Sequence, residues 1–177
     1  MSLTKKKCLL FLFFITLIVA LSACSQKTEF ELYKGNALRI AVIGDPPDIK
    51  EEQVKFSEMT FDDLKSNNLE SFHAVFIMKE KLHQASESQY SDIYLQSSIP
   101  IFFITAISHA PFTVKDEVFD QSWAWSPGNS YAVGVLVSDG EEVLNNWGFG
   151  LYNEELTDRN VQNVYSNIFK TIEEQGQ

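Results

Sequence analysis

Three short segments of the chain are apolar almost without a break: Ala37–Gly44 (ALRIAVIG), Ala74–Met78 (AVFIM) and Ile99–Thr105 (IPIFFIT). A strand with one wet face alternates apolar and polar residues. A continuous run means that both faces are covered, as in a parallel sheet flanked by helices. Pro100 stands near the start of its run, where a missing backbone donor is tolerated. Gln53–Glu58 (QVKFSE) does alternate and reads as a strand nearer an edge.

The segments between these runs carry helical signals. Thr60 and Asp63 have the spacing of a capping box, with Asp in place of the usual Glu, and predict a short helix ending near Asn67-Asn68. Lys79–Ser97 places Leu82, Ala85, Tyr90, Ile93 and Tyr94 at helical spacing, with a polar break at Ser86-Glu87-Ser88. After Ile99–Thr105 the pattern changes. Ser126-Pro127-Gly128-Asn129 reads as a type II turn, and Tyr131–Val137 and Val143–Leu151 read as strands joined at Ser138-Asp139-Gly140. Trp147, Phe149 and Leu151 alternate with Gly148 and Gly150, which are expected to make room for neighbouring rings on the other face. Beyond Thr157, Val161, Val164, Tyr165, Ile168, Phe169 and Ile172 form one apolar helical stripe. The expected fold is α/β: three-layer, with a mainly parallel sheet, a C-terminal β-hairpin and a terminal amphipathic helix over residues 37–177.

The first 23 residues stand outside that domain. Lys5, Lys6 and Lys7 precede an uncharged stretch from Cys8 to Ala23. Sixteen residues fall short of the ~20 that a spanning helix needs, and suit the apolar part of an export signal. Leu21-Ser22-Ala23-Cys24 follows and resembles the lipobox of bacterial lipoproteins, a resemblance confined to residues 1–24. It implies a diacylglyceryl group on the Cys24 thiol and cleavage before Cys24. The mature N-terminus would then carry acyl chains (palmitate and its like) into the membrane on the extracytoplasmic side. Two chains give a stable anchor where one is marginal.

Removing residues 1–23 leaves 11 basic against 24 acidic side chains, a net charge of −13. That excludes a general nucleic-acid surface and argues against docking on anionic headgroups. Cys24 is then the one cysteine left, so the mature domain has no internal disulfide and no thiol chemistry. Ser25–Lys34 is polar and reads as a tether, within a lipidated N-terminal segment over residues 24–36.

Residues 37–106 resemble, over a sheet topology alone, a receiver or flavodoxin-like half. "IPIFFITA" is similar to a receiver fourth strand ending in Thr-Ala. The likeness departs at the site: Phe76-Ile77-Met78 has no phosphoacceptor aspartate, and no lysine stands near Val137-Ser138-Asp139. It therefore implies a topology and no activity.

Ligands of open α/β sheets bind beyond the C-terminal strand ends. Asp45, Glu80 and His109 follow three of those ends and form one candidate site, for proton transfer or a divalent cation. No zinc motif, nucleophile elbow, P-loop or dinucleotide fingerprint occurs, so no metal or cofactor is expected. The acidic pairs Glu141-Glu142, Glu154-Glu155 and Glu173-Glu174 read as solvated surface. The second candidate is aromatic. Trp123 and Trp125 share a face if their segment is extended, and such a face suits an envelope protein or a glycan. A binding domain without catalysis is the leading expectation. A cell-envelope hydrolase or transferase using the strand-end acids, and a glycan- or solute-binding module, are the alternatives.

Overall fold

The computed structural model describes residues 30–66, 69–137 and 143–176. Cys24, Asn67-Asn68, Ser138-Asp139-Gly140 and Glu141-Glu142 lie outside the described residues.

Six strands form one mixed sheet in the order β2-β1-β3-β4-β5-β6. β1 (Leu38–Ile43), β2 (Val54–Glu58), β3 (Ala74–Ile77) and β4 (Ile101–Ile104) pair in parallel. β5 (Ser130–Val137) and β6 (Leu144–Gly150) add the antiparallel part. The hairpin expected from the sequence is thus an extension of the same sheet. β2, the alternating strand, lies at an edge as its pattern predicts.

The continuous apolar runs have the expected cause. Along β1, Leu38, Ile40 and Val42 face one side while Ala41 and Ile43 face the other. Ala74 and Phe76 oppose Val75 and Ile77 on β3, and Phe102 and Ile104 oppose Ile101 and Phe103 on β4. The first face is covered by α5 (Asp158–Gln175) through Val164, Tyr165, Ile168, Phe169 and Ile172. The second is covered by α1 (Phe61–Lys65), α2 (Leu82–Ala85), α3 (Ser88–Leu95) and α4 (Ala110–Thr113), through Phe61, Leu64, Leu82, Tyr90, Tyr94 and Phe112.

Local signals hold in detail. The Thr60 hydroxyl accepts from the Asp63 N–H while the Asp63 carboxylate accepts from the Thr60 N–H, a reciprocal capping box. The polar break at Ser86-Glu87-Ser88 separates α2 from α3. Gly128 has φ +88° and the Asn129 N–H donates to the Ser126 carbonyl, as a type II turn requires. Thr157 caps α5 by accepting from the Asn160 N–H.

Two expectations about packing need correction. The glycine that makes room for aromatic rings is Gly134 on β5, not Gly148 or Gly150. A Cβ on Gly134 would sit 2.6 Å from Phe102 Cδ1 and 3.2 Å from Trp147 Cε3, whereas one on Gly150 meets nothing within 4 Å. The polar tether also ends earlier than Lys34: Tyr33 is buried against Phe169, and the compact unit begins at Glu31.

Candidate functional site

The topology places β1 and β3 side by side with their onward connections leaving in opposite directions, β1 towards β2 and β3 towards β4. The crevice beyond the ends of two such strands is where open α/β sheets take ligands. Here Glu80 reaches across part of it, and a cavity of about 240 Å³ lined by Ile43, Gly44, Thr60, Lys81 and Tyr90 opens beside it. Gly44 ends β1 with φ +117°, a conformation that favours glycine, and a Cβ there would sit 2.8 Å from Met78 Cβ. Glu80, in a 3₁₀ turn over Lys79–Lys81, folds back across Gly44, and its Oε1 accepts the Asp45 N–H at 2.7 Å.

The strand-end acids are therefore brought together, through the backbone of one and the side chain of the other. His109 is occupied elsewhere. It stands at the N-terminus of α4, with Nδ1 2.9 Å from Thr113 Oγ1, and burial holds its imidazole below the ordinary value of 6.5. Among the described residues no three His, Cys, Asp or Glu side chains are grouped so as to hold a metal ion.

Trp123 and Trp125 do not share a face. Their segment is fixed across the end of β4 by the Ala106–Ala124 bridge, with the Ile107 N–H donating to the Trp123 carbonyl and the Trp125 N–H to the Thr105 carbonyl. Trp123 packs against the second-face core and Trp125 against the first, edge-on to Tyr131 at 6.0 Å. Both rings are half-buried.

Several site residues carry no signal in the sequence. Thr105, at the end of β4, has φ +69°, which is strained for a β-branched residue. Its buried Oγ1 has no hydrogen-bond partner among the described residues. The phenols of Tyr131 and Tyr165 lie near this end of the sheet. Burial raises both, and Tyr165 is raised further by Tyr131 and by the Glu80 carboxylate.

Beside them a cleft of about 670 Å³ opens between the β1–β2 connection and the start of α5. Tyr131, Ile49 and Val161 form its apolar part, and Gln162 lines it from the buried side. Lys50, Arg159, Asp48 and Asp158 stand exposed around it. The wall of this cleft is fixed by a buried carboxylate. Glu51 is 4% exposed and accepts from Gln162 Nε2 at 2.5 Å and from the Ser166 hydroxyl. Gln162 and Ser166 at i and i+4 on α5 are the one trace of this contact in the sequence, a polar pair beside an apolar stripe.

No protein-family model, no curated protein and no solved structure matches the chain.

Proposed function

We propose that the protein is a lipoprotein anchored through diacylglyceryl-Cys24 on the extracytoplasmic face of the cell membrane, whose α/β domain works by binding a protein of the cell envelope. The lipobox-like Leu21-Ser22-Ala23-Cys24 supports the anchor. The compact unit begins at Glu31, seven residues on, so the tether reaches at most about 25 Å and holds the domain at the membrane surface.

One observation carries the choice of binding over catalysis. The Glu80 carboxylate, one of the two acid candidates at the strand ends, has its Oε1 engaged by the Asp45 N–H. A carboxylate that closes a backbone turn is a structural acceptor rather than a group poised over a substrate. The half-buried Trp123 and Trp125 remain the candidate contact residues, each at a different face of the sheet. The cleft lined by Tyr131, Lys50 and Gln162 favours a second reading, a module for a small polar solute or glycan, because it combines apolar floor with polar groups of both signs.

The experiment has two parts. Labelling cells with a radioactive or clickable fatty acid should mark the wild-type chain and leave Cys24→Ala unmarked; equal labelling sinks the anchor. In-cell crosslinking should then capture a protein with wild type and lose it with the Trp123→Ala/Trp125→Ala pair. Loss with Asp45→Asn/Glu80→Gln alone, in a chain that still folds, would bring back the hydrolase or transferase reading.

A further inference from the structure

Two polar atoms on the wall of the 670 Å³ cleft have no partner within the protein. Gln162 and Tyr131 line the cleft, and each is 9% exposed. Gln162 donates from Nε2 to the Glu51 carboxylate. A carboxylate only accepts, so this contact fixes the amide: Nε2 faces Glu51 and Oε1 faces away from it. Among the described residues nothing donates to Gln162 Oε1, and nothing bonds the Tyr131 phenol. Thr105 Oγ1 is the one fully enclosed side-chain oxygen or nitrogen among them that is left unbonded. Gln162 Oε1 and Tyr131 Oη therefore each keep an open side, and the cleft is the space they line.

The charges stand apart from these two atoms. Asp48, Lys50, Asp158 and Arg159 are exposed around the cleft, two of each sign. Behind the wall the Glu51 carboxylate is closed off by three donors: Gln162 Nε2, the Ser166 hydroxyl and the Lys50 N–H. An ion seated against the inner wall would lose hydration and meet no counter-charge there. The group that fits is neutral. It needs a donor for Gln162 Oε1 and an acceptor for the Tyr131 hydroxyl, which burial keeps protonated. The rest of the inner wall is apolar, made by Ile49, Val161 and the Tyr131 ring.

A hydroxyl carries donor and acceptor on one oxygen, and a pyranose sets several hydroxyls around an apolar C–H face. A peptide is also neutral along its backbone, but it is held best by an open strand edge. This wall is a loop and the first turns of α5, and the one strand residue in it, Tyr131, belongs to β5, which is paired on both sides. The volume falls within the roughly 300–1,000 Å³ of clefts that take small molecules.

We propose that this cleft binds a neutral saccharide of one or two pyranose rings. Gln162 Oε1 accepts from one sugar hydroxyl, the Tyr131 hydroxyl donates to another, and the C–H face lies on Ile49 and Val161. Glu51 acts as a positioning residue, because it turns the Gln162 amide. The proposal rests on the second reading above, in which the cleft serves a polar solute or glycan.

The test uses the full-length chain in a detergent without a sugar headgroup. Cellobiose, maltose and N,N′-diacetylchitobiose are titrated in turn, with binding followed by saturation-transfer NMR. At least one should bind with a Kd below about 10 mM. Tyr131→Phe should weaken that binding about five- to tenfold and leave the melting temperature unchanged, since the phenol bonds nothing within the protein. Gln162→Lys keeps a donor towards Glu51 and removes Oε1, and should weaken binding similarly. If it fails to fold, Tyr131→Phe decides alone. Binding that Tyr131→Phe leaves unchanged places the sugar elsewhere and overturns the proposal. So does the absence of binding by all three sugars at about 20 mM. Glutamate and inorganic phosphate are titrated alongside. If either binds in their place and weakens with Tyr131→Phe, the polar-solute reading stands and the saccharide is wrong. If no probe binds, that reading loses its support as well.

Discussion

Gln162 on the last helix donates to the carboxylate of Glu51, 111 residues earlier in the chain, at 2.5 Å. The Ser166 hydroxyl donates to the other carboxylate oxygen, and all three side chains are buried. Glu51→Ala should therefore cost about 2–4 kcal/mol in urea unfolding, because it leaves two buried donors unpaired. Glu51→Gln, which keeps an acceptor, should cost less. An Ala variant as stable as wild type would mean that water replaces the carboxylate.

Phe169 tests the attachment of α5 to the sheet. Its ring is fully buried and stacks on Phe76 at 6.2 Å with an interplanar angle of 1°. Phe169→Ala should lose about 3–5 kcal/mol by the same measurement. A loss below about 1 kcal/mol would show a helix that lies on the sheet without holding it.

Gly44→Ala should destabilise by about 1–3 kcal/mol, since it adds a Cβ at φ +117° against Met78 and the Glu80 carboxylate. Adding Glu80→Ala should recover part of that loss and not all, because the contact with Met78 Cβ and the backbone conformation remain. Full recovery would assign the whole cost to Glu80.

His109 gives the fold a pH dependence of defined sign. Burial lowers its value below 6.5, so the unfolded chain takes up a proton at a pH where the folded chain does not. This contribution to stability is complete above about 6.5 and is lost as pH falls through the lower folded value. Asp63 and Asp120, also lowered, act below their ordinary 3.8 and leave the window between open to His109. Denaturation midpoints measured from pH 7 down to pH 4.5 should fall in wild type and flatten in His109→Gln. Parallel curves would exclude the imidazole as the source.

The sheet and its covering helices were legible because their causes are local or periodic. Phe102 and Phe103 announce two buried faces simply by standing next to each other. Thr60 with Asp63, and Pro127 with Gly128, specify a cap and a turn through neighbouring residues alone. The site was less legible because its determinants join distant parts of the chain. The burial of Glu51 depends on Gln162, and the acids around it resemble any solvated pair. The faces of Trp123 and Trp125 are set by a bridge between Ala106 and Ala124, which an alternation rule for extended chain does not contain. The role expected of Gly148 and Gly150 belongs to Gly134, whose need for space comes from Phe102 on the next strand.

The position of α5 at the end of the chain has a consequence for how the molecule is made. One face of the sheet is covered by helices that lie between its strands in sequence, and these can close as each strand is added. The other face waits for residues 158–175. Until Phe169 and Ile172 have left the ribosome, Phe76 and Phe102 stand on a half-roofed sheet, a sticky intermediate of the kind that aggregates or recruits chaperones. A nonsense mutation between Gly150 and Val164 would thus leave a nascent chain that can assemble its strands but cannot hide them.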